Sequence, residues 1–90
     1  MRDYEVSEEE VLDFLEGEEA LLADGFEAAL IGYVEVFNNT VALYDRDKCI
    51  EILMEGSSMS EEEAIEYFEF NVVGAYVGPK TTAFATLMSR

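Results

Sequence analysis

Three glutamates follow a serine twice in this chain, at Val6-Ser7-Glu8-Glu9-Glu10 and at Met59-Ser60-Glu61-Glu62-Glu63. Rows of carboxylates support three kinds of chemistry: acid and base work by a close pair, coordination of a hard cation, or attraction of a positively charged partner. The first two need acids that converge inward between elements. Here the inward helix positions read as apolar and the acids point out, so the third chemistry is the one expected.

Other reactive side chains are few. There is no histidine, which removes the commonest general base and transition-metal ligand. Cys49 falls on an apolar helix face near Asp47 and Glu51, surroundings that raise a thiol pKa, and reads as a small core residue. Asp45 and Asp47 begin like a calcium loop, but Ile50 stands where the loop needs glycine and Gly56 where it needs a bidentate glutamate. Neither metal nor cofactor is expected, and the chain does not read as an enzyme. Tyr4, Tyr33, Tyr44, Tyr67 and Tyr76 suggest base stacking, yet direct nucleic-acid binding needs positive charge that is missing.

The charge balance is extreme: 21 acidic against 5 basic residues, for a net charge of −16 over 90 residues. Such a field attracts cationic partners and repels nucleic acid and anionic lipid. Half of the residues are hydrophobic and 12% aromatic, too apolar for the disordered class, so one domain spanning 1–90 is expected. A single cysteine allows no internal disulfide, and Met1-Arg2-Asp3-Tyr4-Glu5 lacks the apolar core of a signal peptide. Phe70 to Arg90 is free of acids but interrupted by Asn71, Gly74, Gly78, Pro79 and Lys80, short of a membrane span. A cytoplasmic location with no membrane partner follows as the expectation.

The elements that must position the acids can be placed from local rules. Ser7 with Glu10, and Ser60 with Glu63, form capping boxes, and Val6 with Val11 and Met59 with Ala64 complete hydrophobic staples. The first helix turns Val11, Phe14 and Leu15 to one face and stops at Gly17, because Glu18 would otherwise enter that stripe. A short turn over Glu18 to Ala23 then brings Leu21 and Leu22 to the core before Asp24-Gly25. Ala28 to Phe37 and Thr40 to Tyr44 are β-rich, with Asn38-Asn39 as the turn of a hairpin. Asp45 caps a helix running to Met54, with Cys49, Ile50, Ile52 and Leu53 inward and Gly56 closing it.

The Ser60 helix is apolar on more than one side. Ile65, Phe68 and Val72 make its inner stripe, while Tyr67, Phe70 and Val73 face elsewhere and suggest an oligomer interface, such as that of a homodimer. Gly74 or Gly78 ends it, Pro79 blocks continuation, and Thr81 to Leu87 forms a last strand. The fold class is α+β: an acidic N-terminal helix, a hairpin, two helices and a C-terminal strand, giving a three-stranded antiparallel sheet packed by helices.

From Tyr44-Asp45-Arg46-Asp47-Lys48-Cys49-Ile50-Glu51-Ile52-Leu53-Met54 through Met59-Ser60-Glu61-Glu62-Glu63-Ala64-Ile65-Glu66-Tyr67-Phe68-Glu69-Phe70-Asn71-Val72-Val73-Gly74-Ala75-Tyr76-Val77-Gly78, the chain resembles a family of small bacteriophage and prophage proteins. The resemblance covers roughly half of the sequence. It implies a phage setting and carries no activity or site residues. Thr82 stands where that family usually has proline, and the acidic N-terminal helix is distinctive.

Duplex DNA carries about one negative charge per 1.7 Å of axis, held in complexes by rows of Lys and Arg. A fixed row of carboxylates can occupy the same rows. Glu8, Glu9, Asp13, Glu16 and Glu19 line the outer side of the first helical segment. Glu51, Glu55, Glu62, Glu63 and Glu66 extend that band if the helices pack side by side. The expected function is therefore inhibition of a basic, nucleic-acid-binding host protein, a defence nuclease or repair enzyme, by DNA mimicry. The alternative is an adaptor that works through the apolar second face of the Ser60 helix, with acids serving solubility.

Overall fold

Two serines start helices by the same local device in the computed structural model, which describes residues 7–88. Ser7 Oγ accepts the Glu10 N–H at 3.2 Å, and Glu10 Oε1 accepts the Ser7 N–H at 3.0 Å. Ser60 and Glu63 repeat the exchange at 3.2 and 2.9 Å. Two amides that a helix start leaves unpaired are thereby satisfied at each site. Met59 and Ala64 both pack on the core, as a staple requires, whereas Val6 lies outside the described residues.

Helix α1 spans Glu8–Gly17 and buries Val11 and Leu15. It ends where expected, with Glu19 in the left-handed region at φ 58°. The following residues correct the sequence reading: 20–23 form no helical turn, and Leu21 and Leu22 are exposed rather than buried. Ala20 and Ala23 pack on the core in their place. With no helical turn to gather them onto one side, two adjacent leucines cannot both face inward.

After a 3₁₀ turn at Glu27–Ala29, strands β1 (Leu30–Val36) and β2 (Asn39–Asp45) form the hairpin. Its turn is Phe37-Asn38, not Asn38-Asn39, because Val36 pairs with Asn39. Phe37 takes φ 58° at the first turn position, a conformation that favours glycine. The register sets Tyr33 opposite the small, fully buried Ala42, and Tyr33 stacks on Phe14 of α1 with ring centroids 4.6 Å apart. A bulge between Leu30 and Gly32 completes the strand.

Helix α2 (Arg46–Ser57) begins at Asp45, whose Oδ1 accepts the N–H groups of Asp47 and Lys48 at 3.0 and 3.4 Å. It runs past Met54 and Gly56 to close on Ser58, which supplies the left-handed residue that turns the chain into α3. Helix α3 (Glu61–Phe68) passes directly into a π turn at Glu69–Val73. Gly74 ends this turn, and a Cβ there would lie 3.1 Å from the Phe70 carbonyl oxygen.

Strand β3 is short, Ala83–Ala85, and pairs with β2 in parallel, Tyr44 beside Phe84. The expected all-antiparallel sheet is thus a mixed one in the order β1-β2-β3. The reason is topological: α2, α3 and the π turn form a crossover long enough to bring the chain back beside the last residues of β2, running in the same direction. Phe84 then closes an aromatic chain, 5.7 Å from Tyr44 and 5.0 Å from Phe68, itself 6.3 Å from Phe26. One apolar cluster joins α1, the sheet, α2 and α3. Burial of Phe68, fully shielded, contributes about 1.5–3 kcal/mol, more than the roughly 1 kcal/mol of a cap. The core therefore supplies the stability and the caps set where the helices begin.

Candidate functional site

Every described carboxylate except Asp45 is exposed. Capping explains the Asp45 exception. Ion pairing leaves most of the others without a cation: among the described residues Arg46 meets Glu69 at 3.0 Å and Asp47 at 3.9 Å, and Lys48 meets Glu51 at 3.7 Å. Exposed pairs of this kind contribute about 0–1 kcal/mol and are screened by salt. Arg46 also lies over the Phe68 ring, 5.8 Å from its centroid, so its place is decided by packing as well as charge.

The nominated acids fall into two groups. Glu8, Glu9, Asp13 and Glu16 lie on α1 and Glu19 in the turn behind it; Asp13, Glu16 and Glu19 border one shallow depression with Leu12 and Leu22. Glu51 and Glu55 lie on α2, and Glu62, Glu63 and Glu66 on α3, which packs against α2. Helix α1 packs chiefly on β1 and β2 instead. The side-by-side packing on which a continuous band depends is therefore present between α2 and α3, while the main contacts of α1 are with the sheet.

Three acids, Glu63, Glu10 and Glu27, are engaged locally. Glu63 is both a nominated contact and the return arm of its capping box. The Ser7 amide, and then its hydroxyl, hold the Glu10 carboxyl below the usual range; the Gly25 N–H does the same for Glu27 at 3.0 Å. Cys49 is fully buried, and desolvation, followed by the Asp45 charge, pushes its thiol up to about 11. Among the described residues no three Cys, Asp or Glu side chains converge as a metal site would require. No helix among them is long and apolar enough to cross a membrane.

On α3 the inner stripe is as expected, with Phe68 buried and Ile65 and Val72 half-buried. Tyr67, Phe70 and Val73 are exposed, Phe70 at 77%. The exposed apolar surface continues beyond the sequence expectation to Tyr76 at 73% and Val77 at 69%.

A groove of about 650 Å³ lies between Leu21–Phe26, the C-terminal half of α2 and the π turn. Leu21, Leu22, Ile52, Tyr67, Ala75 and Val77 are among the apolar residues that line it. Sequence reasoning missed it by placing Leu21 and Leu22 in the core. The available signal was their setting, two leucines between Glu18-Glu19 and Asp24-Gly25 in a stretch too short to bury both. Against family models, curated proteins and solved structures, the chain has no match.

Proposed function

We propose that the chain is a non-catalytic protein-binding module that presents carboxylates to a cationic surface and inhibits a nucleic-acid-binding host protein by occupying the place of phosphates. The observation that carries this reading is exposure without pairing. All described carboxylates but Asp45 face solvent, and only Asp47, Glu51 and Glu69 have a cation within 4.0 Å among the described residues. Capped helices hold several of them in fixed rows, so less side-chain and backbone order is lost on binding. The phage resemblance of the sequence supplies a setting, the host cytoplasm, in which DNA-binding defence and repair proteins are targets. The groups on α1 and on α2–α3 act as two carboxylate rows in this reading.

The test is recovery of a host partner at low salt followed by competition with duplex DNA. The partner is displaced by DNA, and its affinity falls as salt rises, since the contacts are charged and exposed. A Glu9→Gln, Asp13→Asn, Glu16→Gln variant loses affinity about tenfold or more while keeping its fold. A partner that holds DNA and this protein together overturns the reading.

A second reading is favoured by the exposed aromatic and aliphatic surface at Tyr67, Phe70 and Val73. An adaptor or a self-associating chain would use that face, since apolar surface of this kind marks interaction sites. Its binding is insensitive to salt and lost on Phe70→Ala. Light scattering detects the dimer form directly.

A further inference from the structure

We propose that the groove beside Leu21 and Leu22 receives a cationic amphipathic helix of a protein partner. This inference rests on the reading of the chain as a binder of cationic proteins and names the apolar anchor that such binding uses.

Three observations define the occupant. The first is the lining, mostly apolar around a volume of about 650 Å³, within the roughly 300–1,000 Å³ of typical ligand sites. Its walls include Leu21 and Leu22, the latter 50% exposed, which an apolar helix face would cover.

The second is the state of the backbone donors. The N–H of Leu21 is given to the Lys80 carbonyl at 3.4 Å, that of Ala23 to Tyr44 Oη at 2.8 Å, that of Gly25 to Glu27 at 3.0 Å, and that of Phe26 to the Ala23 carbonyl at 3.2 Å. An extended peptide would need such donors to pair its own carbonyls. A helix brings its backbone already paired, so it does not depend on the donors of a wall in which these four are taken.

The third is charge. Asp24 lines the groove, and Asn71 gives its Nδ2–H to the Tyr67 carbonyl at 3.3 Å, leaving its side-chain oxygen as an acceptor. The last turn of α2, whose Gly56 and Ser57 line the groove, has no basic residue to meet its carbonyl end. Tyr67 and Asn71 also line an adjoining depression that carries Glu63 and Glu66. Lys80 is the nearest cation in sequence, and its side chain is not part of the lining. Apolar walls with acceptors at the rim match a helix bearing leucines on one face and Arg or Lys beside them.

The experiment titrates the full chain with a synthetic Leu/Arg amphipathic peptide of about 14 residues, three to four turns. Parallel titrations use the Leu/Glu counterpart and decyltrimethylammonium below its micelle concentration. The Leu/Arg peptide should bind, with NMR shifts centred on Leu22, Ile52, Tyr67 and Ala75, while the Leu/Glu peptide should not. Ala75→Trp, at an exposed position, fills the groove and weakens binding by about tenfold or more. Asn71→Lys weakens it comparably through charge, and circular dichroism confirms that both variants fold. Neutralising Glu9, Asp13 and Glu16 changes the affinity by no more than about threefold, because exposed charges at a distance are screened. The proposal is overturned if the shifts map elsewhere, if Ala75→Trp binds unchanged, or if the Leu/Glu peptide binds equally. It is also overturned if the alkylammonium displaces the peptide at equal affinity, since the groove would then be a small-amphiphile site. Loss of binding on α1 neutralisation alone leaves the acidic-surface reading standing and removes this one.

Discussion

The phenolic oxygen of Tyr44 accepts the backbone N–H of Ala23 at 2.8 Å, so a residue 2% exposed in the central strand holds the segment that walls the groove. A side chain in the core thereby positions a surface site. Tyr44→Phe keeps the ring packing against Phe84 but leaves the Ala23 amide unpaired, at a cost of about 1–3 kcal/mol. Denaturant titration measures the loss. Hydrogen exchange should quicken at residues 21–25 before it does in β2, because the segment loses its tie to the strand.

Cys49 is shielded at neutral pH by both burial and protonation. Its thiol should react with a disulfide reagent only at the rate of unfolding, and denaturant should restore ordinary reactivity. The folded value is raised from 9.0 to about 11, so the folded state binds this proton more tightly. The contribution is intact below pH 9 and is lost as pH rises through 11, about 2–3 kcal/mol for a two-unit difference. Burial raises Tyr44 as well, which steepens the same alkaline decline. If Cys49→Ser does not flatten the decline between pH 9 and 11, another group carries it.

The two capping boxes predict matched losses. Ser7→Ala and Ser60→Ala should each cost about 1 kcal/mol, or roughly 4–8 °C in Tm for a domain of this size. Acid dependence of the domain follows from Glu10 in the Ser7 box and, outside both boxes, from Glu27 on the Gly25 N–H, whose folded carboxyls titrate below the ordinary value of 4.5. That stability is present above 4.5 and disappears as pH falls through the depressed values. In Ser7→Ala the Glu10 contribution shrinks, so its acid unfolding profile should depend less on pH below 4.5 than that of the parent chain.

Phe37 is 97% exposed with φ 58° at the first position of a two-residue hairpin turn. Nothing in the fold offsets the strain by packing the ring. Phe37→Gly should therefore stabilise the domain by about 0.5–1 kcal/mol, read as a higher denaturation midpoint at unchanged m-value. A lower midpoint would show that the ring contributes more than its backbone costs.

Helix starts were legible because the groups that decide them lie within three residues of one another. Ser7 with Glu10, Ser60 with Glu63, and Asp45 with the next amides form without help from distant parts of the chain. The outward direction of the acids was legible too, since helical spacing leaves them opposite Val11, Leu15, Leu53 and Phe68. Other features depend on long-range packing. The hairpin register is one, because moving the turn from Phe37-Asn38 to Asn38-Asn39 leaves the same residues on each face. Alternation cannot separate the two, whereas the stacking of Phe14 on Tyr33 above Ala42 is made in the register observed. The direction of β3 is another, determined by where a crossover of two helices and a π turn delivers Phe84.

By itself, then, the sequence of this protein determined the caps, the helical faces and an excess of unpaired carboxylates, all consequences of local spacing and composition. Only the tertiary structure decided that β3 runs parallel, that α1 packs chiefly on the sheet while α2 packs on α3, and that Leu21 and Leu22 wall a groove. These features arise from contacts between residues tens of positions apart, whose loop closures and packing no short window of sequence contains.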